Sequence, residues 1–416
     1  MDEQLFAELD RRLSDADEAL TTLYPGDRGV RQPIHTVYVP ADRFLVGTVD
    51  EWAEQARAVL REHGGSVAEL TEVLGLPADH AVEVYDRVCA KLTREPIEDL
   101  RIDFEDGYGV RPYEQEDKAA ASAGQALASL VNVGTAPPYH GLRIKSLEAV
   151  SRRRGVRTLT LFVGELAEAG ALTDGFVITL AKVTSVAQIS AMVVVLDSVE
   201  RSLGLASGSL RFEIQVETPQ AILGADGTTP LPAMIRAGAG RVTGLHYGTY
   251  DYSASLGVAA AYQSMEHPVA DHAKDVMQLA AAGTGVFVCD GSTNVLPVGS
   301  REQVHAAWRL HQRLVRRSLE RGIYQGWDMH PAQLPSRYLA TYLFYREGLG
   351  TAAARLRAYV EGGTSGYLDE PATAAALAGF VLRGLECGAL DPTELDKLIG
   401  VDPAGLSKLA RRPLRS

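Results

Sequence analysis

The feature that most constrains this chain is a recurring alternation of a short apolar stretch, a polar or glycine stop, and a helix-like stretch. Strand candidates begin near His35, Ile97, Gly141, Gly175, Leu210, Gly240, Gly285 and Gly326. Strands separated by helices pair in parallel through crossovers. Eight such units over roughly 300 residues fit a (β/α)8 TIM barrel, whose usual size is about 250 residues. A doubly wound sheet is the structural alternative. No G-x-G-x-x-G follows the first strand, which weakens its dinucleotide-binding version.

The chain has 416 residues, more than a plain barrel needs. Residues 1–34 read as an N-terminal helical extension closing near Tyr24-Pro25-Gly26. The barrel is expected over residues 35–335, with a helical insertion after strand 1 at about 46–96. Residues 336–416 read as a C-terminal helical tail, with helices over 337–347, 351–361 and 370–386 and a glycine-rich interruption at 362–366. Closure of this tail over its own barrel and packing on a neighbouring subunit are both open, and a homo-oligomer is expected.

The formal net charge is 41 − 53 = −12. That balance excludes a general nucleic-acid binder, because neutralising phosphates needs clustered Lys and Arg. Cys89, Cys289 and Cys387 are scattered and odd in number, which fits a reducing compartment without a disulfide framework. The acidic start lacks an apolar signal core, and no apolar run reaches the ~18 residues of a membrane span. A soluble, cytoplasmic protein is therefore expected.

Polarity on strands that should be apolar carries the functional signal. In Phe212–Thr218, side chains alternate between faces. Phe212, Ile214 and Val216 suit surrounding helices, whereas Glu213, Gln215 and Glu217 point into the barrel. Thr218 and Pro219 look like an N-cap and first helical position, which places Glu217 at the C-terminal mouth, where such barrels keep their chemistry. Arg101, Asp103 and Glu105 likewise share one face of strand 2. Buried charges of this kind pair or bind ions, so a purely supporting Arg–carboxylate network stays open for Arg101, Asp103 and Glu213.

Arg143 and Lys145 share a face of strand 3, and Lys182 ends strand 4. A guanidinium at the mouth suits bidentate binding of a carboxylate, against the alternative of an internal salt bridge. Lys182 is a substrate-binding candidate, against the alternative of a solvated lysine. Asp251 follows strand 6, where it either caps a helix or joins Glu217. Two hard carboxylates there suit Mg2+ or Mn2+, which take one or two protein carboxylates and leave the other positions to water and substrate.

These motifs together resemble the HpcH/HpaI aldolase and citrate lyase beta-subunit family, within a superfamily that includes malate synthases. The resemblance runs from about His35 to Glu386. It rests on Val37-Tyr38-Val39-Pro40-Ala41-Asp42-Arg43, Asp103-Phe104-Glu105-Asp106, Arg143-Ile144-Lys145, Ala181-Lys182-Val183, Val216-Glu217-Thr218, Tyr250-Asp251-Tyr252-Ser253-Ala254-Ser255-Leu256-Gly257 and Trp327-Asp328-Met329-His330-Pro331. Lys145 replaces an Asn of the family motif, Ala181 a Pro, and Asp106 the His of the pyruvate-aldolase branch, which favours the citrate-lyase-like branch.

The resemblance implies metal ligands Glu217 and Asp251, and Glu105 and Asp106 orienting metal-bound water. The tail motif Gly366-Tyr367-Leu368-Asp369-Glu370-Pro371 implies Asp369 as a catalytic acid/base, compatible with an N-cap role for the helix after it. The implied activity is a divalent-metal-dependent carbon–carbon lyase or aldolase working through an enolate. Its substrate would be a small 2-oxo or 3-hydroxy acid or its acyl-CoA thioester, with Arg143 and Lys182 holding it. Alternatives are a malate-synthase-like Claisen condensing enzyme or acyl-CoA thioesterase and, in another class, a non-catalytic barrel binding a small acid or a partner protein.

Overall fold

Apolar residues on alternate strand positions face outward to helices, and that alternation closes the sheet around a polar interior. The computed structural model describes residues 3–363 and 369–411. Its strands are β1 (His35–Pro40), β2 (Asp99–Asp103), β3 (Tyr139–Ile144), β4 (Phe176–Leu180), β5 (Arg211–Val216), β6 (Val242–Tyr247), β7 (Phe287–Cys289) and β8 (Gly326–Asp328). Each begins within two residues of its expected position. All pair in parallel, in the order β7-β6-β5-β4-β3-β2-β1-β8. The fold is a (β/α)8 barrel.

Closure between β7 and β8 is slight. One bridge joins Cys289 to Gln325, with Asp290 N–H donating to Gln325 O at 2.8 Å and Trp327 N–H to Gly291 O at 3.1 Å. The Gln32 amide clips this seam from below, donating to Val288 O at 3.2 Å and Gln325 Oε1 at 3.3 Å.

Ile102, Leu142, Ile178, Phe212 and Ile214 are fully buried on the outward face. Each such side chain contributes on the order of 1.5–3 kcal/mol. Phe104, Phe162 and Phe176 form a chain of ring contacts between strands and helix Arg152–Glu168. Under the last strand, Asp328 pairs with Arg337, His35 and His311, all buried.

The insertion forms helices Thr48–Gly64, Val67–Leu74 and Ala78–Arg94. Ser66 and Glu69 cap the middle one reciprocally. The insertion packs on the tail, where Arg346 pairs with Glu83. The helices expected over 337–347 and 351–361 are instead one, Leu334–Glu361. Gly348 does not break it. A Cβ there would lie 2.5 Å from Phe380 Cζ, so glycine serves the close approach of helix Pro371–Cys387. Helices Pro392–Ile399 and Pro403–Ala410 follow, capped by Asp391 and Asp402.

The N-terminal helix spans Glu3–Leu23, and none of its residues is buried. The chain then crosses the barrel floor, with Gly26 N–H on Gly283 O, Arg28 on Thr243 O and Ile34 N–H on Glu98. No helix among the described residues is long and apolar enough to cross a membrane.

Candidate active site

The inward faces form a polar shaft in three levels. Near the floor, the Arg101 guanidinium pairs with Asp99 and with Glu213 Oε2 at 3.0 Å, and Glu213 also contacts Thr179 and His246. Arg101 and Glu213 therefore have the supporting role left open for them. A cavity of about 660 Å3 opens below this level, lined in part by Arg28, Tyr139, Arg211 and Phe287. It lies at the end of the barrel opposite Glu217.

In the middle level, Arg143 donates from Nε to Asp103 Oδ1 at 2.7 Å and from Nη2 to Asp103 Oδ2 at 2.6 Å. This bidentate pair is buried against the Tyr38 and Trp327 rings. Arg143 is thus largely committed to the internal salt bridge. Its Nη1 remains, 3.3 Å from Gln215 Oε1 and 3.7 Å from Glu105 Oε2. Asp103 also accepts the N–H groups of Glu105 and Gly107, which fixes the turn that presents Glu105.

At the mouth, four carboxylates surround one ammonium. Lys182 Nζ lies 2.7 Å from Asp251 Oδ1, 2.9 Å from Asp106 Oδ2, 3.7 Å from Glu217 Oε2 and 3.9 Å from Glu105 Oε1. The Lys182 backbone has φ +54°, a left-handed conformation costing a non-glycine residue on the order of 1–3 kcal/mol. It is held there by its own N–H, which donates to Glu217 Oε1 at 2.6 Å. Gln215 Nε2 donates to Glu217 Oε2 at 2.6 Å. Gly248 lies beside this carboxylate, and a Cβ there would come within 2.5 Å of Glu217 Cβ.

Burial dominates the titration of the two glutamates of this cluster. It pushes Glu217 from 4.5 up to about 8, in spite of Lys182 and Arg143. It likewise raises Glu105 to about 7. For Asp106, burial works upward, but its bonds with Lys182 and Glu105 outweigh it and hold the group below its ordinary value. A carboxylate this buried, with a single ammonium shared among four acids, is short of positive charge. That is the donor set and the electrostatic deficit that a hard divalent cation fits. Among the described residues no group of three or more His, Cys, Asp or Glu side chains is arranged to hold a metal ion.

The structure therefore brings together Glu105, Asp106, Lys182, Glu217 and Asp251, with Arg143 one level below. Asp251 is no helix cap: Gly248 holds that position for helix Thr249–Ser255. Lys145 leaves the shaft and donates to Phe104 O and Glu116. Asp369 is not brought to this mouth. It pairs with Arg355, and Glu370 takes the N-cap position of the next helix. The unbroken tail helix is the reason. Its Tyr338 already reaches Glu95 and Pro96 O at the floor, and Arg355 lies about 25 Å further along the helix axis at 1.5 Å per residue. Gly366, Tyr367 and Leu368 of that motif lie outside the described residues.

Sequence reasoning turned Gln215 into the barrel without giving it a role, and missed Tyr38 and Trp327 as site-forming residues. Their signal was the strand alternation itself, which turns Tyr38 inward between Val37 and Val39.

A family model described as a domain of unknown function, DUF6986, matches residues 13–414. The chain belongs to the DUF6986 family. No curated protein matches this DUF6986 member. Among solved structures, it is similar to Haloferax volcanii malate synthase in a lead(II) complex, with a TM-score of 0.51 and 15% identity over 92% of this chain and 98% of that one. The magnesium/glyoxylate complex of the same enzyme gives 0.51 and 16% over 93% and 99%. An HpcH/HpaI aldolase/citrate lyase family protein from Burkholderia cenocepacia J2315 gives 0.40 and 14% over 77% and 94%. At these identities the likeness to the malate synthase is one of fold.

Proposed function

We propose that this DUF6986 protein is a divalent-metal-dependent enzyme that makes or breaks a carbon–carbon bond through an enolate, as a lyase or aldolase acting on a small 2-oxo or 3-hydroxy acid or its acyl-CoA thioester. The observation that carries this reading is the convergence of Glu217 and Asp251 on one cationic point at the C-terminal mouth of a barrel. Glu217 and Asp251 would hold Mg2+ or Mn2+. When bound, such an ion supplies Lewis-acid stabilisation of negative charge developing on a substrate oxygen.

The chain's own groups do the rest. Lys182, which meets both ligand carboxylates, offers its ammonium to a substrate carboxylate. Arg143 is a positioning residue held rigid by Asp103, with only Nη1 directed toward Glu105 and Gln215. Glu105, near neutrality because it is buried, can take up or release a proton at its carboxyl oxygens close to working pH. Asp106 orients Lys182 and accompanies Glu105. Asp369, 14 residues from Arg355 and paired with it, has no part in the site of its own chain.

A second reading is a malate-synthase-like condensation. It is supported by the shared architecture with Haloferax volcanii malate synthase over nearly the whole of both chains. The two readings share an enolate, so one experiment tests both. Solvent deuterium exchange into pyruvate and into acetyl-CoA, with Mg2+ present, is expected for one donor and is expected to vanish in Glu217→Ala and Asp251→Ala. Calorimetric Mg2+ binding that survives unchanged in both variants would sink the site. Exchange into neither donor would count against the enolate chemistry.

A further inference from the structure

We propose that the N-terminal helix pairs in parallel with the same helix of a second copy of this chain, as a two-stranded coiled coil. The apolar residues Phe6, Leu9, Leu13, Ala16, Leu20 and Leu23 are spaced 3, 4, 3, 4 and 3 residues apart. That is an unbroken seam of three heptads with period 3.5, the repeat that keeps one helix face against another helix of the same repeat. A helix lying on a globular core would instead follow 3.6 and end in buried positions.

None of these residues is buried by its own chain. Phe6, Leu9, Leu13 and Leu20 stay 42–52% exposed, which leaves a continuous apolar stripe in water. Stripes of that length mark contact surfaces. Pro25 and Gly26 follow the helix, so it leaves the barrel floor as a separate arm.

Charge identifies the occupant and its direction. With Phe6, Leu13 and Leu20 at the first seam position and Leu9, Ala16 and Leu23 at the fourth, the flanking positions hold Arg12 on one side and Asp10 and Asp17 on the other. In a parallel pair, Arg12 of each helix faces Asp17 of the other, giving two opposite-charge contacts by symmetry. In an antiparallel pair over the same seam, Arg12 faces the uncharged Ala19 and Asp10 faces Asp17 of the other helix, which leaves no opposite-charge contact and one repulsion on the acidic flank. Only the parallel self-pair satisfies both seam and flanks. Arg12 also pairs with Glu8 of its own helix, at 2.6 Å, on the same side.

The test is the mass of the full-length protein by light scattering, with variants confined to this arm. Wild type is expected to be an even-numbered oligomer. Leu13→Glu puts a charge in the seam centre and is expected to halve the assembly, or raise its dissociation constant about tenfold or more. Its thermal unfolding should stay unchanged, because Leu13 supports nothing in the barrel.

Arg12→Glu alone and Asp17→Lys alone are each expected to weaken the assembly. Mixing these two variant proteins is expected to restore it as a heterodimer. On one flank of that heterodimer the introduced carboxylate meets the introduced ammonium, and on the other the natural Arg12 meets the natural Asp17. A monomeric wild type, an assembly of unchanged size in Leu13→Glu, or failure of the mixture to reassociate would each overturn the proposal.

Discussion

Glu217→Gln should stabilise the metal-free protein at alkaline pH and much less at acid pH. In the folded chain burial raises this carboxyl from 4.5 to about 8. A carboxyl whose folded value lies above its unfolded one contributes stability below the unfolded value, and that stability is lost as pH rises through the folded value. The penalty therefore builds between pH 4.5 and about 8, at about 1.4 kcal/mol per pH unit, to about 5 kcal/mol. Glutamine never ionises and escapes it. Its oxygen keeps the bond from Lys182 N–H, but its amino group then faces the amino group of Gln215, an offset of about 1 kcal/mol that does not vary with pH.

The stability difference, variant minus wild type, should thus rise by about 3 kcal/mol between pH 5.5 and 8.5. Urea unfolding of chelator-treated protein at both pH values measures it, and other titrating groups cancel because both proteins carry them. A difference that changes by less than about 1 kcal/mol, or that falls with pH, would refute the claim that Glu217 is a buried carboxylate short of positive charge.

Other expectations follow from the same site and its surroundings. Lys182→Met removes the ammonium that shares the carboxylates with any incoming cation. Mg2+ should then bind at least about tenfold tighter at pH 8.5, as titration calorimetry would read, while the metal-free chain unfolds at lower urea. Asp369→Asn should leave Mg2+ affinity and deuterium exchange unchanged in the isolated chain, and loss of either would place the tail over the mouth after all. Asp328→Ala strips the shared partner of buried Arg337, His35 and His311 and should cost about 3–5 kcal/mol in urea unfolding, with a loss under 1 kcal/mol counting against the network.

The barrel was legible because each strand advertises itself twice, by its apolar alternation and by the stop that follows. Glu217 and Asp251 were legible because charge on an inward strand position or just past a strand end demands a partner. The pairing partners were not. Whether Arg143 faces a substrate or Asp103 depends on register between β2 and β3, which single-strand patterns do not encode. The break expected within the first tail helix was misplaced for a different reason. Separate helices over 337–347 and 351–361 were expected, yet Gly348 lies inside one helix and admits the ring of Phe380, a contact set by tertiary packing. With that helix unbroken, Asp369 pairs with Arg355 rather than with the residues of the mouth. The convergence on Lys182 was also hidden, since its backbone must take a conformation that local sequence disfavours.

The thin closure between β7 and β8 has a consequence for how the molecule breathes. Seven of the eight junctions are ladders, and the eighth rests on one bridge and the Gln32 clip. Local opening runs from the weakest cooperative unit. The amides of Asp290 and Trp327 should therefore exchange with solvent before those of β2 to β5, and the barrel should part along this line while its other walls stay protected. Gln32 sits on the segment that also carries the N-terminal arm, so tension on that arm would be felt first as faster exchange at the seam.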